Sequence, residues 1–230
     1  QSASTSPELG QRLVEGPGVL PALVAALATD SPTAKISSNL LFKVASVSPQ
    51  LARRVAEEPG TLPALVVAVA AGGAMASTSL FERRKEQHGC LGLIALTSLE
   101  LARRVAEEPG ALPVIVAALA AGCPAATNAA RVLDHIASAS PELAWQVAEE
   151  RGALQALVAA LTAGCPAAPD AVHVLSHIAL ASPQHSQQVA EEPGALPALV
   201  ATVAGGGAAA TSSLSGTAGN CALVLALIAE

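Results

Sequence analysis

The sequence predicts an all-α solenoid built from units of about 42 residues, each holding three helices. Three observations carry that expectation. One stretch, Leu99 to Leu119 (LELARRVAEEPGALPVIVAAL), has four further versions in the same chain of 230 residues, beginning at Pro7, Pro49, Pro141 and Pro183. The five starts are spaced by 42, 50, 42 and 42 residues, a period in the range of stacked helical repeats. Apolar residues inside each version recur at helical spacing, and strand-forming alternation is absent.

Each unit opens on a helix start. Ser6-Pro7, Ser48-Pro49, Ser140-Pro141 and Ser182-Pro183 place a capping hydroxyl before a proline suited to the first helical position, and Ser98-Leu99 is the variant. A first helix of about ten residues follows, with Leu101 and Val105 four apart on its inner face, matched by Leu51/Val55 and Leu143/Val147. It stops at Glu-Glu-Pro-Gly, because proline cannot continue the helix and glycine accepts a positive φ.

The second helix carries Leu112, Ile115, Val116 and Leu119 at i, i+3, i+4 and i+7, a core face. Small-residue linkers such as AAGCPAA end it. The third helix closes the unit with Val132, Leu133 and Ile136, matched by Leu40/Leu41/Val44 and Val174/Leu175/Ile178.

The units run 7–48, 49–98, 99–140, 141–182 and 183–230, and 1–6 reads as the tail of a preceding unit, so 1–230 is expected to be a single domain. The second and fifth units are each longer by about 8 residues. The first insertion, around Ser77 to Gln87, is charged and helix-compatible; the second, around Ala210 to Gly219, is Ser/Gly-rich and reads as a mobile linker. The first residue is not Met, and Glu230 arrives where the next Ser-Pro would begin, so the chain is expected to be a fragment of a longer array with end-to-end contact to further repeats.

Composition narrows the partners. A net charge of −6 argues against a nucleic-acid binder, whose affinity comes from clustered Lys and Arg. Aromatic residues are 1% of the chain, too few to stack on bases or sugars. The mean hydropathy of +0.50 comes from alanine-rich helices, since every long apolar run is broken by Pro, Gly or charge; no membrane span is expected. Cys123 and Cys165 fall at the same place in consecutive units, about 8–10 Å apart if helices stack there, beyond the reach of a disulfide. Cys90 and Cys221 sit among apolar residues, and free thiols point to a reducing, cytoplasmic compartment.

No catalytic set can be assembled, and no cofactor is expected. Gly205-Gly206-Gly207 lacks the Gly-Lys-Ser/Thr that would reach phosphates. His173 and His177 stand one helical turn apart with His135 one unit away, the chain's weak candidates for a metal, without a carboxylate or Cys ligand at a fixed near spacing. The Arg53-Arg54 and Arg103-Arg104 pairs read as a solvated outer face, with a docking edge as the alternative. Trp145, the sole tryptophan, replaces the first Arg of that pair; packing on Leu143 or a neighbouring repeat is the expected role.

With a first helix, a Pro-Gly turn, a second helix of the type GALPALVAAL from Gly194 and a third of the type NAARVLDHIAS from Asn128, the chain resembles the armadillo repeat from Ser6 to Glu230. HEAT repeats, the neighbouring class, have two helices and no constant short first helix. The resemblance implies a right-handed superhelix whose third helices line a concave groove for extended partner chains. In peptide-binding members such as importin-alpha, a Trp and an Asn four residues apart on that helix hold the peptide backbone.

The matching pairs in this chain are Asn39/Lys43, Gly89/Leu93, Arg131/His135, His173/His177 and Leu223/Leu227. None is Trp/Asn, so the resemblance implies a groove other than one for Lys-rich signals. It reads as polar to basic at units 1, 3 and 4, through Asn39, Lys43, Arg131, His135, His173 and His177, with apolar flanks. That surface suits an acidic or amphipathic helical protein segment. The expected function is a non-enzymatic interaction scaffold or structural subunit. The alternatives are importin-alpha-like cargo binding and a regulatory module of a larger enzyme or motor.

Overall fold

The computed structural model describes Gly16 and residues 18–27, 32–71, 90–122, 125–164, 166–206 and 212–229. These form fourteen helices and no strand among the described residues. In chain order they are α1 (Val19–Leu27), α2 (Pro32–Ala45), α3 (Pro49–Glu57), α4 (Thr61–Ala71), α5 (Cys90–Thr97), α6 (Leu99–Glu107) and α7 (Ala111–Ala120). There follow α8 (Ala125–Ala139), α9 (Pro141–Glu149), α10 (Ala153–Thr162), α11 (Ala168–Ala181), α12 (Pro183–Glu191), α13 (Ala195–Gly206) and α14 (Ser212–Ala229).

The short first helices α3, α6, α9 and α12 start as the sequence dictates. Ser48, Ser98, Ser140 and Ser182 hold extended backbone, and each Oγ accepts the N–H three residues on, from Leu51, Leu101, Leu143 and His185, at 3.2–3.3 Å. Ser98 caps as well as the others without a following proline, so the hydroxyl and not the ring fixes the start. Glu58, Glu108, Glu150 and Glu192 end these helices in non-helical backbone. Gly60, Gly110, Gly152 and Gly194 then turn the chain at φ of 78–86°, which any side chain would make costly. Gly18 does the same at 79° ahead of α1.

Two stacks of parallel elements make the body. The second helices α1, α4, α7, α10 and α13 pack in series, and the third helices α2, α5, α8, α11 and α14 pack in series beside them. Each first helix is wedged between the third helix before it and the third helix of its own unit: α9, for instance, lies against both α8 and α11. The core runs along this seam, with Leu41, Leu65, Ile94, Leu101, Ile115, Leu133, Leu143, Leu157, Leu175 and Ile178 essentially without solvent contact. The expected core positions Leu112, Ile115, Val116, Leu119, Val132, Leu133 and Ile136 are all buried.

Two expectations need correction or placement. The Ser/Gly-rich insertion is not a linker over 212–219: those residues are the first turns of α14, which at 18 residues outruns the other third helices. Packing of α14 on α11 and α13 overrides the weak intrinsic preference of Ser and Gly. The charged insertion at Ser77 to Gln87 lies outside the described residues, as do Cys123 and Cys165. No helix among the described residues is long and apolar enough to cross a membrane.

Candidate functional site

The residues that differ from unit to unit gather where α8 meets α11. These two helices supply the pairs Arg131/His135 and His173/His177, held on one face by Val132, Leu133 and Ile136 on the one side and Val174, Leu175 and Ile178 on the other. Between the pairs stand two carboxylates. Arg131 reaches Asp170 with Nη2 3.5 Å from Oδ2, and Asp134 lies with Oδ2 3.8 Å from His173 Nδ1 and Oδ1 3.7 Å from His177 Nε2. The two helices are therefore joined in alternating sense, basic to acidic and then acidic to basic.

The expected polar-to-basic positions of the third and fourth units therefore stand beside acidic partners. Asp170 offsets the charge of Arg131, and Asp134 bridges His173 and His177. The junction thus brings to the histidine pair a carboxylate from the preceding unit, Asp134. Among the described residues, however, no three His, Cys, Asp or Glu side chains converge closely enough to hold a metal ion.

Electrostatics separates the two histidines. The Asp134 carboxylate raises His173 above its ordinary value of 6.5, against partial desolvation. Desolvation dominates at His177 and lowers it, although the same carboxylate pulls the other way. Burial raises Asp170, and the Arg131 guanidinium offsets part of that shift. Asp134 Oδ1 is buried and has no hydrogen-bond partner, since 3.7 Å to His177 is ion-pair range only.

The other predicted positions are spread along the same stack. Asn39 and Lys43 are exposed on α2. Leu93 and Leu227 are half-buried against the core, and Leu223 is 39% exposed on α14. His135 leans over Gly92 of α5, where a side chain in place of the glycine would meet His135 Cδ2 at 3.4 Å. Gly89 lies outside the described residues.

Three-helix units, a wedged first helix and a continuous face of third helices have close counterparts among solved structures. The designed armadillo repeat protein YIII(Dq)4CqI superposes with a TM-score of 0.73 at 24% identity, over 98% of this chain and 88% of its own. The chain is an armadillo-like repeat solenoid. Computationally designed armadillo repeat proteins for modular peptide recognition give a TM-score of 0.74 at 25% identity, over 97% of this chain and 87% of theirs. The designed armadillo protein YIII(Dq.V1)4CPAF, in complex with the peptide (KR)4, gives 0.72 at 26%, over 98% and 87%. No family description and no curated protein matches the sequence.

In this armadillo-like solenoid the sequence spacing marks the pairs four residues apart but not their partners Asp134 and Asp170. The signal was present: Asp134 is three residues beyond Arg131 and Asp170 three before His173, each on the same helical face as the pair it accompanies. Trp145 of α9 stacks on His185 of α12, centroids 5.7 Å apart and planes 10° from parallel. That is the neighbouring-repeat packing expected of it. Of the Arg doublets, Arg53, Arg54 and Arg103 are exposed, while Arg104 donates to the Ala56 carbonyl of the preceding first helix at 3.2 Å.

Proposed function

We propose that the chain is a non-enzymatic protein-interaction scaffold that holds a segment of a partner protein along the third-helix face. The observation that carries this reading is the contrast between faces. The caps, turns and core of the five units are near-copies, whereas the third-helix pairs Asn39/Lys43, Gly89/Leu93, Arg131/His135, His173/His177 and Leu223/Leu227, each taken as a pair, differ from unit to unit. A scaffold needs the first set constant and can assign recognition to the second. The structural neighbours described for modular peptide recognition, one of them with a bound peptide, support the same reading.

The partner that fits is an amphipathic segment. Asp134 and Asp170 remove the excess of positive charge that an acidic segment would need, and the half-buried Leu93 and Leu227 with exposed Leu223 offer apolar contact near the polar centre. The absence of a Trp/Asn ladder disfavours importin-alpha-like cargo binding. In this reading the units 7–48, 49–98, 99–140, 141–182 and 183–230 act as one domain in the reducing cytoplasm.

Selection of peptides from a random display library on the immobilised protein tests the proposal. Selected peptides should lose binding to the Lys43→Ala, His173→Ala and Leu223→Ala proteins. Failure to select any peptide, or selection of peptides indifferent to all three changes, would overturn it.

A further inference from the structure

The second helices carry a surface that the third-helix reading does not use. A cleft of about 610 Å³ opens between α7 and α10. Val116, Ala117 and Ala120 of α7 and Ala156 and Ala159 of α10 give it an apolar floor. Its size falls in the range of ligand-binding clefts.

Its mouth departs from the repeat. In the other units the turn and the first turn of the second helix carry prolines: Pro17 and Pro21, Pro59 and Pro63, Pro109 and Pro113, Pro193 and Pro197. In the fourth unit alone both are replaced, by Arg151 and Gln155, and both replacements are exposed and line this cleft. Rigid rings without donors thus give way to long side chains rich in hydrogen-bonding groups. The core beneath is unchanged, since Ala153 and Leu157 are as buried as their counterparts Ala111 and Ile115.

The charge around the mouth selects among occupants. A second hollow of about 320 Å³ shares Glu150, Arg151, Gly152 and Gln155 with the cleft and adds Glu149 and Glu192. Three carboxylates face one guanidinium, and one of them, Glu150, accepts the backbone N–H of Arg151 at 3.1 Å. The whole chain is acidic as well, at −6, so its long-range field draws a cation to this edge. An apolar floor flanked by excess carboxylate matches a side-chain pair of opposite character, one bulky and aliphatic, the other cationic.

We propose that the cleft between α7 and α10 is a second docking site, which takes a helical segment of a partner protein presenting an aliphatic side chain beside a lysine or arginine. The aliphatic group fills the space over Ala117 and Ala159, the cation lies among Glu149, Glu150 and Glu192, and Gln155 and Arg151 bond to the polar groups of the segment. The site is on a different face from the third-helix groove, so the two stand or fall separately.

Fluorescence anisotropy with two labelled amphipathic peptides of about four helical turns, one of Leu and Lys and one of Leu and Glu, tests it on the full chain. The Leu/Lys peptide should bind, and Ala117→Trp, which fills the cleft from an exposed position without changing charge, should weaken it about tenfold. Glu150→Gln with Glu192→Gln should weaken it to a similar degree, and Lys43→Ala on the third-helix face should leave it unchanged. Equal binding of the Leu/Glu peptide, indifference to Ala117→Trp, or loss that follows Lys43 would overturn the assignment, as would self-association of the chain that Ala117→Trp abolishes.

Discussion

Asp134 and His173 belong to different units and meet across the α8–α11 junction, Oδ2 3.8 Å from Nδ1. A carboxylate from one repeat thus raises the proton affinity of a histidine in the next, and the junction carries pH-dependent stability. His173 is raised above 6.5 in the folded chain, so the stabilisation it contributes is complete below 6.5 and fades as pH climbs through its folded value. His177 is lowered, so it contributes in the opposite sense: the unfolded chain takes its proton first as pH falls below 6.5, and stability drops. Asp134→Asn removes the favourable member and should lower the urea midpoint more on the acid side of 6.5 than on the alkaline side. His177→Ala should flatten acid sensitivity instead. Identical pH profiles for wild type and both variants would refute the coupling.

Core and groove changes should separate cleanly. Ile115 is fully buried, and Ile115→Ala should cost about 2–5 kcal/mol in urea unfolding. His177 is half-buried at the surface of the stack, and its truncation should move the midpoint far less at neutral pH. Comparable losses from the two would mean that the α11 face is packed as tightly as the core.

The caps and turns give a second stability series. Ser140→Ala removes the hydroxyl that accepts the Leu143 N–H and should cost about 1 kcal/mol. Gly152→Ala meets no neighbouring atom, yet φ there is 80°, and the strain alone should cost about 1–2 kcal/mol. Thermal denaturation followed by helical circular dichroism measures both.

Trp145 reports on the junction between the fourth and fifth units. It is 37% exposed and stacked on His185, which stands where other first helices place the buried Leu51, Leu101 and Leu143. His185→Leu restores the apolar residue, loses the 2.6 Å contact of Nδ1 with the Ser182 hydroxyl, and should alter the emission of the single tryptophan. Trp145→Ala should cost about 0.5–1.5 kcal/mol beyond the apolar area it uncovers.

Thiol chemistry offers a probe of opening. Burial pushes Cys90 up to about 12 and Cys221 up to about 11, so neither is a thiolate at neutral pH. Alkylation of both should be negligible until denaturant unfolds the chain, and labelling of Cys90 in native buffer would show that α5 opens locally.

The repeat frame was legible because its devices are local. A serine cap, a glycine turn preceded by proline in four of the five units, and an i, i+3, i+4, i+7 apolar face each act within a few residues, and the copies repeat the message. The polar junction was only half legible. Arg131, His173 and His177 stood out by spacing, but their partners Asp170 and Asp134 come from the adjacent unit, a relation set by helix stacking. The start of α14 is hidden in the sequence for a related reason: a Ser/Gly-rich stretch has weak helical preference, and the packing of α14 on α11 and α13 is set by tertiary structure.

The wedged first helices have a consequence for the continuity of the chain. Because α9 is gripped by α8 on one side and α11 on the other, the polypeptide linkage at the turn after it is not what joins the units. Cleaving the peptide bond at Arg151-Gly152 should yield two halves that copurify, and separately expressed 1–151 and 152–230 should find each other in solution. The array is held together as a stack is, by its faces, with the backbone serving mainly to keep the pieces in order.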